Sequence, residues 1–378
     1  MTGNYPSKRQ GIVHGESAVT GLAGVTTFRA RSIGRAAGLA GALWILCVAV
    51  ALAQPSSDPR HGGDSGGGMP WEGAASIQAF ATVGENEIYA GSFGAGMFRS
   101  EDRGSQWTAA NEGLTDPFIL SMAVGGDNTI YAGTFRGGVF RLLPGQQAWE
   151  PVNGGLKRLE VKALYVSRGI LYAGTGDGVY QLKEGDTRWV TVTSGLDDTL
   201  VHAVGQSDDG TLFAGTSGKG VQRYRKRIPG WSRLRQGLKD HEGLIENYIR
   251  VVTIGEQRGV YVGTFDGGVF YSSDQGETWR PISRALPNDS IRGIVWSPTR
   301  LIVATGRGIF QTQNNGQKWA PLNKGLTELS IQALAMTDKG TLYAGTNGGA
   351  FRSDDSGATW VQINDGLRVH AEVPFTFQ

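Results

Sequence analysis

The chain of 378 residues contains one cysteine, Cys47. A single thiol closes no intrachain disulfide. Cys47 also sits in an N-terminal apolar run with the marks of a cleaved leader, so the mature chain is expected to keep no thiolate metal site and no cysteine nucleophile. A helical period is missing too, since no stretch after residue 60 repeats its apolar residues at helical spacing. Nor is there an excess of one charge. The whole chain has 36 basic and 34 acidic residues, and without residues 1–53 it has 31 and 33, so the pI near 8.6 belongs largely to the leader. That balance gives no support to a nucleic-acid partner.

What the chain does have is repetition. Ile88-Tyr89-Ala90-Gly91 returns as Ile130-Tyr131-Ala132-Gly133, Leu171-Tyr172-Ala173-Gly174, Leu212-Phe213-Ala214-Gly215, Val260-Tyr261-Val262-Gly263, Leu301-Ile302-Val303-Ala304 and Leu342-Tyr343-Ala344-Gly345. The steps are 42, 41, 41, 48, 41 and 41 residues. A period near 40 built of short strands predicts an all-β, seven-bladed β-propeller with four-stranded antiparallel blades. The last unit parses as strands over Ile331–Ala335, Thr341–Gly345, Ala350–Arg352 and Trp360–Ile363, separated by turns rich in Gly, Asp and Asn. The 59 glycines suit a fold with about three tight turns per repeat. The tail from Arg368 to Gln378 is placed to add a closing strand to the first or last sheet.

Ahead of the repeats, residues 1–35 carry Lys8, Arg9, Arg29, Arg31 and Arg35 against Glu16 alone. The uncharged run Ala36–Ala53 follows and ends in Ala51-Leu52-Ala53, a small-x-small pattern. Together these read as a secretory signal peptide over 1–53, cleaved near Ala53, which predicts a soluble, extracytoplasmic mature chain in the periplasm or outside the cell. An uncleaved N-terminal membrane anchor is the alternative. Trp44-Ile45-Leu46 lacks the small pair that precedes a lipidated cysteine. Residues 54–75, rich in Pro, Ser, Gly and Asp, read as a flexible linker, and 76–378 as the propeller.

The turn between third and fourth strands has the form Ser-x-Asp-x-Gly-x-x-Trp in three units: Ser100 to Trp107, Ser272 to Trp279 and Ser353 to Trp360. Thr312 to Trp319 is a softened copy with Asn314 in place of Asp. In such a turn the carboxylate accepts backbone N–H bonds, the glycine adopts a conformation costly for other residues, and the tryptophan buries apolar area. Recurrence in several blades makes Asp102, Trp107, Asp274, Trp279, Asn314, Trp319, Asp355 and Trp360 structural residues rather than catalytic ones. The pattern resembles the Asp-box, or bacterial neuraminidase repeat. Units two, three and four lack it, at Leu142–Gly145, Leu182–Gly185 and Tyr224–Gly230.

Strand order puts the second-to-third turns and the inter-blade connections on one face. Those turns vary: Phe93, Phe135 with Arg136, Asp177, Lys219, Phe265 with Asp266, Arg307 and Asn347. The 48-residue step comes from an enlarged connection on the same face, Lys239 to Arg250, which holds His241, Glu242, Glu246 and Tyr248. Phe93, Arg136, Asp177, Lys219, His241, Asp266 and Arg307 are candidate ligand contacts there. No metal site and no cofactor are expected. A second cluster, Arg223, Arg225, Lys226, Arg227, Arg233, Arg235 and Lys239, reads as a positive ladder on the blade-four hairpin, suited to an acidic protein segment, an anionic glycan or an anionic lipid headgroup.

Arg227-Ile228-Pro229 matches the Arg-Ile-Pro motif of sialidases, but it lies mid-ring, and their arginine triad and Tyr/Glu pair cannot be assembled here. Glycosidase chemistry needs two carboxyls across a cleft, which xyloglucanase-like enzymes build between two propellers, and this chain has one. Over residues 77–367 the chain resembles single-ring secreted propellers of the photosystem II assembly and stability factor-like group. The shared text is the Tyr-Ala-Gly-Thr strand, the Gly-Gly-Val-Phe-Arg-Ser strand and the box ending in Trp. That resemblance implies a non-catalytic scaffold or assembly factor that binds an envelope or membrane protein complex through a basic patch. A carbohydrate-binding propeller or glycoside hydrolase acting on extracellular glycans is the alternative.

Overall fold

The computed structural model describes residues 73–196, 199–234, 237–238, 248–256, 258–288 and 290–368. Their 28 strands form seven sheets of four, each antiparallel, in chain order, and taken from one contiguous stretch. No helix occurs among the described residues. The seven-bladed propeller anticipated from the repeat is present. Its first strands are Ile77–Val83, Ile119–Val124, Val161–Ser167, Val201–Gln206, Ile249–Ile254, Ile291–Ser297 and Ile331–Met336. Each packs against the first strand of the next blade, and that of blade seven packs against that of blade one, so these strands surround the axis and the ring is closed.

The core is divided among the joints. Seven apolar clusters each draw from two neighbouring blades, such as Tyr343, Ala350 and Ile363 of blade seven with Ile77, Phe98 and Trp107 of blade one. A lone blade leaves these faces wet, and stacking covers them.

Every joint carries a tryptophan: Trp107, Trp149, Trp189, Trp231, Trp279, Trp319 and Trp360. Six indoles donate to a carbonyl of the preceding blade: Trp107 to Ile363 at 2.8 Å, Trp149 to Ala110 at 2.8 Å, Trp189 to Val152 at 2.7 Å, Trp231 to Val192 at 2.5 Å, Trp319 to Ile282 at 2.9 Å and Trp360 to Leu322 at 2.7 Å. The Trp279 indole nitrogen is buried and finds no acceptor among the described residues. Backbone bonds reinforce the joint, with Trp107 N donating to Asp365 O at 2.8 Å and Trp360 N to Lys324 O at 2.9 Å. The last strand is therefore shorter than the sequence suggests. It covers Val361–Gln362 only, because Trp360 bonds to the preceding blade instead of its own third strand.

Closure uses the same device. Gly366, at φ +93°, brings blade seven under Trp107 of blade one. Arg368 adds one isolated bridge to Ala74, and the rest of the tail, expected to supply a closing strand, lies outside the described residues.

A Cβ on Gly366 would stand 2.0 Å from the Trp107 carbonyl oxygen, whereas one on Gly84, at φ +62°, would meet nothing within 4 Å. Gly84→Ala should lose only the left-handed backbone preference, about 1 kcal/mol. Gly366→Ala should lose roughly 3 kcal/mol or more, because backbone must also move. Urea unfolding of both variants checks this, and equal losses would remove the joint from its place in the fold.

Candidate functional site

The four Ser-x-Asp-type turns share one geometry. Asp102 Oδ1 accepts from Ser100 Oγ at 2.7 Å and Gln106 N at 2.9 Å, and Ser100 Oγ accepts from Gly104 N at 2.8 Å. Asp274 accepts from Ser272 Oγ, Thr278 N and Thr278 Oγ1 at 2.7, 2.9 and 2.6 Å. Asp355 takes the same three partners, Ser353 Oγ, Thr359 N and Thr359 Oγ1, at 2.8, 2.8 and 2.5 Å. Asn314 Oδ1 repeats the core pair with Thr312 Oγ1 and Lys318 N, both at 2.9 Å. Positive φ falls on the two central residues: Arg103, Gln275, Asn315 and Ser356 lie at 54–64°, each followed by a glycine that is also at positive φ. The bonds hold the carboxylates ionised. Thr359 through its hydroxyl and N–H, with Ser353, lowers Asp355 to about 2, and the Gln106 N–H lowers Asp102. These bonds all stay within the turn, which makes the groups fasteners for the strand that follows the tryptophan.

The blade-four cluster does not form a ladder. The third strand ends at Arg225, Lys226 and Arg227 make the turn, and the fourth strand starts at Ile228, with a register shift after Tyr224. Arg223 is buried and reaches blade five, donating to Gln275 O at 2.8 Å and Glu277 Oε1 at 2.7 Å. Arg225 donates to Gln275 Oε1 at 3.1 Å. Arg233 Nε donates to Lys219 O at 2.9 Å. Lys226, Arg227 and Ile228 are exposed at the tip, and Arg235 lies outside the described residues.

The second-to-third turns do share one face with the inter-blade connections, and several of their side chains are engaged. Phe93 stacks edge-on against Phe118 with centroids 4.9 Å apart. Arg136 lies over Phe135 at 5.2 Å, and its backbone N–H donates to the buried Asp116 at 2.5 Å. Asp177 accepts from Tyr180 OH at 2.8 Å and Thr175 Oγ1 at 2.9 Å. Lys219, Asp266 and Arg307 are exposed, Phe265 is 45% exposed, and His241 with Glu242 and Glu246 lies outside the described residues. Among the described residues no group of three or more His, Cys, Asp or Glu side chains is placed to hold a metal ion.

One set of residues escaped the sequence reading. In each first strand the register skips the second residue. Ile77 pairs with Ser92 and Ala79 with Gly91, which leaves Gln78 as a bulge, and the same skip occurs at Leu120, Lys162, His202, Arg250, Arg292 and Gln332. The residue before each bulge is fully buried, and the bulge sits at the strand end nearest the second-to-third turns. Bulges re-aim side chains, and because the first strands surround the axis, these seven form a ring at one end of it, where a propeller has the mouth of its central channel. Four consecutive blades supply Lys162, His202, Arg250 and Arg292. Lys162 pairs with Glu160 at 2.5 Å. His202 Nε2 lies 2.8 Å from Ser217 Oγ, and its ring stacks on Tyr248 at 4.5 Å. Burial, then the charges of Lys162 and Arg250, press its imidazole down to about 3. Burial, then repulsion from Arg292, lowers Arg250 to about 10. Aligning the seven repeats at the residue after the first Ile or Val is the signal that finds this set.

No family model matches the chain, and no curated protein matches it. Solved structures do resemble it. The extracellular domain described as that of a one-component system, BT4673 of B. thetaiotaomicron, aligns with a TM-score of 0.64 at 18% identity, over 74% of this chain and 38% of that one. The GH74 xyloglucanase of Xanthomonas campestris aligns at 0.61 and 16% identity, over 78% and 55%. YCF48 bound to D1 peptide aligns at 0.58 and 13% identity, over 74% and 92%. This chain thus spans less than half of the first protein and just over half of the second. At such identities the likeness is one of fold.

Two titrations test the electrostatics. Because Asp355 has a folded pKa below its unfolded value, its contribution to stability is present above about pH 4 and fades as pH falls toward about 2. Asp355→Asn, which keeps the Oδ1 bonds as Asn314 does, should flatten the melting curve against pH in that window only. His202 has a lowered folded pKa, so stability should fall as pH drops below about 6.5, because the unfolded chain takes up the proton first. Its ring resonances should stay those of neutral imidazole down to about pH 4, and a midpoint near 6 would contradict the buried, cation-flanked setting.

Proposed function

We propose that this chain is a non-catalytic protein-binding propeller that works outside the cytoplasm as a scaffold or assembly factor for an envelope or membrane protein complex. The observation that carries this is the tip of the blade-four hairpin. Lys226 and Arg227 are exposed beside Ile228, which is 53% exposed, in a blade whose turn lacks the Ser-x-Asp fastener. Two cations next to an exposed apolar side chain suit an acidic protein surface with an apolar contact beside it, since long-range attraction steers the encounter and the buried apolar area holds it. Arg225, half-buried against blade five, stiffens the hairpin at its base.

The match to YCF48 bound to D1 peptide covers 92% of that chain, so nearly all of a peptide-bound chain has this fold. The match to the GH74 xyloglucanase covers 55% of the enzyme, and hydrolysis requires two carboxyls facing across a cleft. The extracytoplasmic setting rests on the basic region, apolar run and small-x-small site of residues 1–53, with 54–75 as linker to a propeller over 76–378. A glycan ligand on the face of the second-to-third turns is the second reading, supported by the GH74 likeness.

The test is affinity capture from solubilised envelope of the host, read by quantitative mass spectrometry. Lys226→Glu with Arg227→Glu should remove a specific partner and abolish the salt dependence of its capture, at unchanged melting temperature. A partner retained at full yield by this double variant would exclude the hairpin. Specific retention of a polysaccharide, lost on substitution of Asp177 or Asp266, would move the function to the second reading.

A further inference from the structure

Arg250 and Arg292 present an arrangement that the protein-binding role leaves unexplained. They occupy equivalent bulges of blades five and six, half-buried at the channel mouth. Arg250 Nη1 and Arg292 Nε are shut off from water and find no acceptor among the described residues. Among those residues, neither guanidinium makes an ion pair. Arg292 Nη1 does donate to the side-chain oxygen of Gln332 in the next blade. Among the described residues, Glu160 on this arc is engaged by Lys162. Like charges held together in a half-buried place, without a counter-charge, destabilise the fold unless an anion completes the set. Burial, then repulsion from Arg292, pulls the Arg250 pKa down, and burial lowers that of Arg292, which registers the same stress.

The surroundings narrow the anion. The Arg250 guanidinium lies over the Phe265 ring at 5.0 Å, and Phe265 continues through Tyr248 to His202 at centroid separations of 5.6 and 4.5 Å. Stacking fixes the plane of the guanidinium and leaves its edge to bind a planar, two-oxygen acceptor. Phe265, 45% exposed, offers an apolar wall beside that edge. His202 is neutral here and competes for no charge. A compact inorganic anion would use the charge and leave the wall bare.

We infer that the mouth of the channel is a binding site for a small organic acid, whose carboxylate is gripped by Arg250 and Arg292 and whose apolar part lies on Phe265. The site is on the inner strands and is independent of the blade-four hairpin tip.

Calorimetric titration of the full chain tests it with three probes: N-acetylphenylalanine, N-acetylphenylalaninamide and inorganic phosphate. The acid should bind one to one. The amide, which has the ring and no carboxylate, should bind roughly tenfold more weakly or not at all. Phosphate should bind more weakly than the acid. Arg250→Gln and Arg292→Gln should each weaken the acid by about tenfold or more and, in the absence of ligand, raise the melting temperature by removing one of two repelling charges. Arg292→Lys keeps the charge and loses the fork, and should fall between. The double variant Lys226→Glu with Arg227→Glu should bind the acid unchanged, which separates this site from the hairpin. Failure of the acid to bind, equal binding of acid and amide, or acid binding that survives both glutamine variants would overturn the inference. Phosphate binding tighter than the acid would overturn the carboxylate assignment. A lower melting temperature in both glutamine variants would show the pair already neutralised within the chain, and overturn it too.

Discussion

The ring depends on one joint repeated seven times. At each, a tryptophan buries its indole between two blades, and six of the seven indole nitrogens bond to the preceding blade among the described residues. Glycine in the connecting turn allows this approach, since a side chain at Gly113, Gly325 or Gly366 would collide with a tryptophan carbonyl at 2.2, 2.1 or 2.0 Å. Apolar area drives the association, and the paired carbonyl fixes its distance and tilt. Sheets, turns and channel all inherit their placement from that geometry.

The Ser-x-Asp turns serve the joint. Each fastens the chain seven residues or fewer before a tryptophan, and blades two to four reach the same joint without them. Trp149 and Trp189 sit on their acceptors as closely as Trp360 does. The fastener is thus dispensable where other contacts place the strand. In blade four, Arg223 and Arg225 instead reach across to Gln275 and Glu277 in the third-to-fourth turn of blade five.

Those two arginines mark where the sequence was legible and where it was not. The repeated Tyr-Ala-Gly phrase and the period-2 runs revealed seven blades because each strand follows from neighbouring residues. The arginine ladder depended on residues 54 positions away, in the next blade, and alternation along one strand contains no such information. The channel ring was hidden for a different reason. Gln78, Leu120, Lys162, His202, Arg250, Arg292 and Gln332 look like ordinary alternating residues until a bulge turns them inward, and bulges are a property of pairing register. Trp149, Trp189 and Trp231, by contrast, were visible at repeat spacing and went unassigned only because the turns before them lack the box.

Blades one and seven meet at a joint of the same kind as those between consecutive blades, and every described sheet is woven from a single contiguous stretch. No strand is lent from one terminus to the other among the described residues. Among the described residues, the number of blades is held by seven similar joints that close on one another. A lineage that duplicates or deletes one repeat would meet no topological obstacle, only a small change in the angle shared among all the blades.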